Sequence, residues 1–394
     1  MKKALLPSLM AAAVQAQSPT PLTLKRAGIN PRSLAYIDSV VAQNMARHNM
    51  PGAVVLVSRR NHIVYRKAFG HSQVVPEVRP MRINMMFDMA SVTKPVATAT
   101  SIMILCERGQ LRLTDRVSDY VANFRRFKNP DSTWAEEARI WHLLTHTSGL
   151  PAYTNADTAA ARLGRTCSGA ALVEYIGNLA KTDPPGAVYR YSCLGFITLA
   201  HIIEKVSGKN VHLFSHDNIF KPLLMRNTTY VPQGVMLPLC VPTEVVNGRP
   251  WIGVVHDPLA RLQAGISGNA GLFSTVDNLA RYCQMMLNGG ILDGVRILSP
   301  VTVNRMIHIP KTEAEAKRGY GWVVKEGQSW VGGDLLPDLG YGHTGYTGTS
   351  IWLDPATQTF VIILTNRVHP VDDGETDSLR SSIANIVAGA MTEL

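Results

Sequence analysis

The order of periodicities along the chain constrains its fold more than any single residue does. Strand-like runs lie near both ends, and helical patterns fill the stretch between them. "AVVLVS" at 53–58 and "HIVYRKAF" at 62–69 flank "RRN" and predict an early hairpin. "YGWVV" at 320–324, "GTSIWLD" at 348–354 and "FVIILTN" at 360–366 predict late strands. In between, "FITLAHIIEKVSGK" at 196–209 predicts an amphipathic helix ending at Gly208. "NLARYCQMMLNGG" at 278–290 puts Leu279, Tyr282, Cys283, Met286 and Leu287 on one stripe, with Thr275 as N-cap and Gly289 as stop. "SLRSSIANIVAGAM" predicts a closing helix. The economical architecture is mixed α/β (α+β): one antiparallel sheet built from both chain ends and flanked by helices, with a mostly helical lobe inserted. The sheet lobe spans about 30–90 and 315–394, and the helical lobe about 91–314. A cleft between two such lobes is the default place for chemistry.

The 394 residues exceed a typical domain of roughly 100–200, and 46% of them are hydrophobic, so a large core is affordable. With 17% charged residues the chain does not read as disordered. "MKKALLPSLMAAAVQAQSPT" has a charged start, a short apolar run and small residues before Ala16. That pattern predicts a secretory signal over 1–16, cleaved after Ala16, leaving 17–394 as one catalytic unit in the periplasm or outside the cell. No other stretch approaches the roughly 20 apolar residues of a transmembrane helix. The formal charge is +10, but the basic residues are scattered, and only "SRR" and "FRRFK" are dense. A solvated face is expected rather than a nucleic-acid surface. Cys106, Cys167, Cys193, Cys240 and Cys283 form no CxxC pair, so structural zinc is not expected. An odd count leaves at least one free thiol even if a disulfide forms.

"MASVTKPVATATSIMILCERGQ" at 89–110 carries the chemistry of interest. Ser91 and Lys94 are spaced i, i+3, which brings both side chains to one face at a helix start. A serine hydroxyl is a weak nucleophile until a base takes its proton. Lysine serves as that base if its neighbours pull its pKa below about 10.4. S-x-x-K is expected about once by chance in a chain this long. "PPGAVYRYSCLGF" at 184–196 adds Tyr191, a phenol at a loop-to-helix junction, where either packing or base catalysis is open. "GYGHTGYTGTSIWLD" at 340–354 adds His343, Thr344, Gly345 and Tyr346 before a strand. Gly345 and Gly348 are expected to let a ligand approach the backbone. His142 and His146 have metal-ligand spacing, but no Glu of an HExxH motif accompanies them.

Together these stretches resemble the serine β-lactamase and penicillin-binding-protein superfamily, in the branch of class C β-lactamases, D-Ala-D-Ala carboxypeptidases and related esterases. "HLLTHTSGLPAY", "IFKPLLMRNTTY" and "VHDPLARLQAGISGNAGLFST" extend the resemblance over roughly residues 35–368. It implies the β-lactamase-like fold and a serine hydrolase working through an acyl-enzyme, without metal or organic cofactor. Ser91 would be the acylated nucleophile, Lys94 its activator and Tyr191 the general base. His343-Thr344-Gly345 would stand for the family's Lys-Thr-Gly, and the N–H groups of Ser91 and Tyr346 would form the oxyanion hole. "HLLTHTSGL" would be scaffolding. Two departures matter. Tyr-x-Asn reads Tyr191-Ser192-Cys193, and a thiol is a poor replacement for an amide. His343 replaces lysine and would hold a carboxylate only while protonated, so affinity would weaken as pH rises. Both point to a peptidase for D-Ala-D-Ala-type or other unusual peptides, or to a carboxylesterase, rather than a resistance enzyme. A penicillin-binding sensor or weak β-lactamase with little turnover is the remaining alternative. Oligomeric state is not legible.

Overall fold

The computed structural model describes residues 20–310, 318–326 and 331–393. The leader expected over 1–16 lies outside these residues. The central sheet has seven strands: β1 (Gly52–Arg59), β2 (His62–Gln73), β3 (Arg79–Pro80), β4 (Val323–Val324), β5 (Tyr341–Thr344), β6 (Ser350–Asp354) and β7 (Thr359–Thr365). Their order is β4-β5-β6-β7-β1-β2-β3, and neighbours run antiparallel. The two halves of the chain therefore meet at β1 and β7, where Val55 pairs with Ile363. The β1–β2 turn is Arg60-Asn61, with φ of 50° and 63°. Two positive φ values between the paired Arg59 and His62 match the twist of a two-residue hairpin, and Asn tolerates that geometry well.

Every residue of β1 is buried, because both faces of the sheet are covered. Ala53, Val55 and Val57 join Val361 and Ile363 against helices α1 (Tyr36–Ala46) and α5 (Asp377–Gly389). Val54 and Leu56 join Phe360, Ile362 and Leu364 in the main core. Alternation along each strand thus feeds two separate apolar layers. The main core is completed by α2 (Thr100–Glu107), α3 (Cys193–Ser207) and α4 (Val276–Leu287). Ser192 caps α3, and Gly208 ends it in the left-handed region at φ 70°. Thr275 caps α4 by accepting from Asn278 N, and Gly289 follows its end with φ 71°.

The strand expected over 320–324 is confined to Val323–Val324. Tyr320 and Gly321 spend their N–H groups elsewhere, on Met306 O and Leu144 O. The lobe between the sheet halves is mostly helical but holds small sheets of its own. One pairs Phe87–Asp88 and Thr229–Tyr230 with opposite edges of Leu272–Ser274. It delivers the chain directly to residue 91. No helix among the described residues is long and apolar enough to cross a membrane, and all five cysteines are free thiols.

Candidate active site

Ser91 lies on a tight 3-10 turn, Ala90–Val92, that runs straight into a π-type turn, Lys94–Ala99, and then α2. Local widening of this kind often marks functional positions. Ala90 adopts φ 45°, an uncommon value for a residue with a Cβ. Asp88 holds the turn: its Oδ1 accepts from Ala90 N at 2.8 Å and its Oδ2 from His256 N at 2.7 Å. Burial pushes the Asp88 carboxyl up, and these N–H donors and His256 oppose that shift.

The i, i+3 spacing works as expected. Lys94 Nζ donates to Ser91 Oγ at 2.9 Å and to Asn269 O at 3.0 Å, and it lies 3.5 Å from Cys193 Sγ. Its Nζ is 5.0 Å from the Tyr191 ring centroid, within cation–π range. The side chain is wholly buried. Here the structure corrects one expectation, that neighbours lower the amine's pKa. Burial does oppose the charge, but an ionised Cys193 or Tyr191 outweighs it, so the pKa lies above the ordinary lysine value. Burial also keeps the Cys193 thiol protonated against the pull of Lys94. Lys94 therefore keeps its proton beside Ser91 Oγ and is an ammonium rather than a free base.

Tyr191 immediately precedes α3. The segment after Ile140–Leu144 fixes it: His146 O accepts from Arg190 N, His146 Nδ1 from Ser192 N, and Ala152 O from Cys193 N. The His146 ring leans on Tyr191 with centroids 4.4 Å apart. His142 accepts from Arg139 N and stacks on Trp141, away from any ligand role.

The opposite wall is β5 and the turn after it. Ser91, Tyr191, His343, Thr344, Gly345 and Tyr346 line one pocket of about 470 Å³, with Lys94 behind its floor. Gly345 lines the pocket, and the protein's own backbone also requires a glycine there. A Cβ would lie 2.1 Å from Thr349 Oγ1 and 2.4 Å from Met89 O, beside the turn that carries Ser91. Gly348, at φ 100°, similarly abuts Thr365 Oγ1. Thr347 and Thr349 hydroxyls tie the same turn to the Asp88 and Met89 carbonyls.

His343 is also corrected. It is buried, and burial, followed by Arg318 and Lys94, holds its pKa well below the usual histidine value. Its Nδ1–H donates to Thr344 O, leaving a bare Nε2 without a partner among the described residues. A neutral ring of this kind accepts a hydrogen bond and does not anchor a carboxylate.

Three contributors were not legible in the sequence. Arg318 lines the pocket, lies 5.4 Å from the Tyr191 ring centroid, and buries Nη1 without a partner among the described residues. Asn269 accepts from Lys94 Nζ through its backbone carbonyl at 3.0 Å, and its buried side-chain oxygen accepts from the Ser267 hydroxyl. Arg380 reaches the turn at Gly345 from α5. Behind Tyr346, the side chains of Glu244, His256 and Asp372 converge within 4.8 Å. Asp372 is already engaged by Arg367 and the Tyr346 hydroxyl, and Glu244 lies 3.2 Å from His256, so the group is a charge network supporting that ring.

A family model described as Beta-lactamase matches residues 37–385. A protein of Salmonella typhi with the provisional name D-alanyl-D-alanine carboxypeptidase is 30% identical over 390 residues, covering 92% of this chain and 89% of its own. Among solved structures, EstCE1, a hydrolase with promiscuous acyltransferase activity, is similar at TM-score 0.74 and 23% identity, covering 91% of this chain and 99% of its own. The octameric penicillin-binding protein homologue from Pyrococcus abyssi is similar at TM-score 0.67 and 23% identity, covering 88% and 75%. Fold, family match and relatives agree, and the chain belongs to the beta-lactamase family of serine hydrolases.

Proposed function

We propose that this protein hydrolyses D-Ala-D-Ala-type peptides, or other peptides with D or unusual residues, through an acyl-enzyme on Ser91. The observation that carries the reading is the 2.9 Å contact of Lys94 Nζ with Ser91 Oγ, beside the Tyr191 phenol, at the floor of an open pocket. Tyr191, as a phenolate stabilised by the Lys94 ammonium, takes the Ser91 proton. Oγ attacks the carbonyl carbon, and the carbonyl electron pair moves to an oxygen facing the N–H groups of Ser91 and Tyr346. Collapse breaks the C–N bond, and the Tyr191 proton goes to the leaving amine. Water then gives a proton to Tyr191 and attacks the ester carbon; the C–Oγ bond breaks, and Tyr191 returns that proton to Ser91 Oγ as the acid is released.

A carboxylate on the leaving group would meet the guanidinium of Arg318, which lines the pocket. The provisional name of the relatives supports the peptide class. One observation favours a second reading, a carboxylesterase: Cys193 supplies no amide to an acyl-side peptide group, and esters need none. The apolar leader and the relatives support a periplasmic or secreted enzyme of one catalytic unit, 17–394. The test is kcat/KM for D-Ala-D-Ala peptides, linear L-peptides, nitrocefin and 4-nitrophenyl esters. The peptidase reading requires D-Ala-D-Ala peptides to lead. Esters leading by about 100-fold transfers it to the second reading, and a burst followed by a persistent Ser91 adduct transfers it to a penicillin-binding sensor.

A further inference from the structure

We propose that Arg380, on the closing helix α5, is a positioning residue that aims the Tyr346 N–H for transition-state stabilisation. The inference rests on reading that N–H as one oxyanion donor. The Gly345–Tyr346 peptide is planar, so its C=O and N–H point in opposite directions. Anything that fixes Gly345 O therefore fixes the direction of the Tyr346 N–H. Two donors fix it: Gly348 N at 3.0 Å and Arg380 Nη2 at 3.4 Å. The same Nη2 reaches Thr349 O at 3.3 Å, which already accepts from Gly345 N at 2.7 Å. One guanidinium thus bridges both carbonyls at the neck of the turn. The Tyr346 N–H, in contrast, has no partner among the described residues.

The arrangement is rigid. Arg380 is 5% exposed, and Asp377 holds its other terminal nitrogen, Nη1. A buried cation on a peptide oxygen also polarises that peptide, which strengthens its N–H as a donor where negative charge develops. Arg380 lines the pocket as well, so a direct contact with an anionic substrate is the competing role. The two roles differ on a neutral substrate.

The experiment compares wild type, Arg380→Met and Arg380→Lys on 4-nitrophenyl acetate, which carries no anionic group. With Met we expect kcat to fall about 10-fold with KM within twofold, less than the roughly 10²–10³ of a donor lost outright. The affinity of a neutral boronic acid that forms a tetrahedral Ser91 adduct should fall by the same factor. Lys, which reaches one carbonyl but not both, should fall between the two; it carries the test alone if the Met variant does not fold. Unchanged kcat on the neutral ester, or a loss confined to KM or to carboxylate-bearing substrates, overturns the proposal. A boronic acid that forms no Ser91 adduct in the wild type would instead sink the acyl-enzyme reading itself.

Discussion

The two walls of the pocket are built on opposite principles. On the helical wall, Lys94 ties the site together, donating to Ser91 Oγ and Asn269 O and lying 3.5 Å from Cys193 Sγ. On the sheet wall, His343 Nε2, Arg318 Nη1 and the Tyr346 N–H have no partner among the described residues. Buried polar groups are nearly always paired, so those left open mark where a ligand is awaited. One wall is wired internally for moving protons, and the other is held ready to receive charge. Substitutions on the first should therefore act on kcat, and those on the second on recognition and transition-state binding.

The sharpest way to break that contrast is Ser91→Ala, which should cost about 10³-fold or more in kcat/KM and abolish the mass adduct. Lys94→Met and Tyr191→Phe should each cost about 10²–10⁴-fold in kcat with KM little changed. Comparable losses in KM alone would erase the distinction between the walls. Gly345→Ala should follow, since its Cβ meets Met89 O and Thr349 Oγ1. We expect about 1–3 kcal/mol of destabilisation by denaturant titration, with activity falling further than stability explains. Arg318→Ala should raise KM about 10-fold for carboxylate-bearing substrates and leave neutral esters unaffected.

The smallest effect comes from a property both walls share. His142 is lowered to about 4 by burial and then by Arg139, while burial first and neighbouring cations second hold His146 and His343 well below the usual value. Unfolded histidines bind protons below about 6.5, and these three stay neutral in the fold. The unfolded chain therefore holds more protons in that window, and stability is lost as pH falls from about 6.5 towards 4. Thermal melts across pH 4–7 check this. For the same reason, KM for free-acid substrates should show no histidine step near pH 6.5.

That Ser91, Lys94, Tyr191 and the 343–346 segment share one site was legible because each sits in a short contiguous motif. The early hairpin was legible from β-branched runs around a two-residue turn. Arg318, Asn269 and Arg380 were not, because their contacts exist only across distant segments: Asn269 meets Lys94, and Arg380 meets Gly345. Charge states were also hidden. A sequence places Lys94 and His343, but burial and their neighbours decide that one keeps its proton and the other does not.

The pairing of Ala53 with Thr365 carries a consequence for how the molecule comes into being. The strand made first at the centre of the sheet has one permanent neighbour that emerges from synthesis only near the end. Until then an apolar ribbon is left with an open edge. The sheet that carries the His343–Tyr346 wall of the pocket is thus closed only when residues 359–365 have been made.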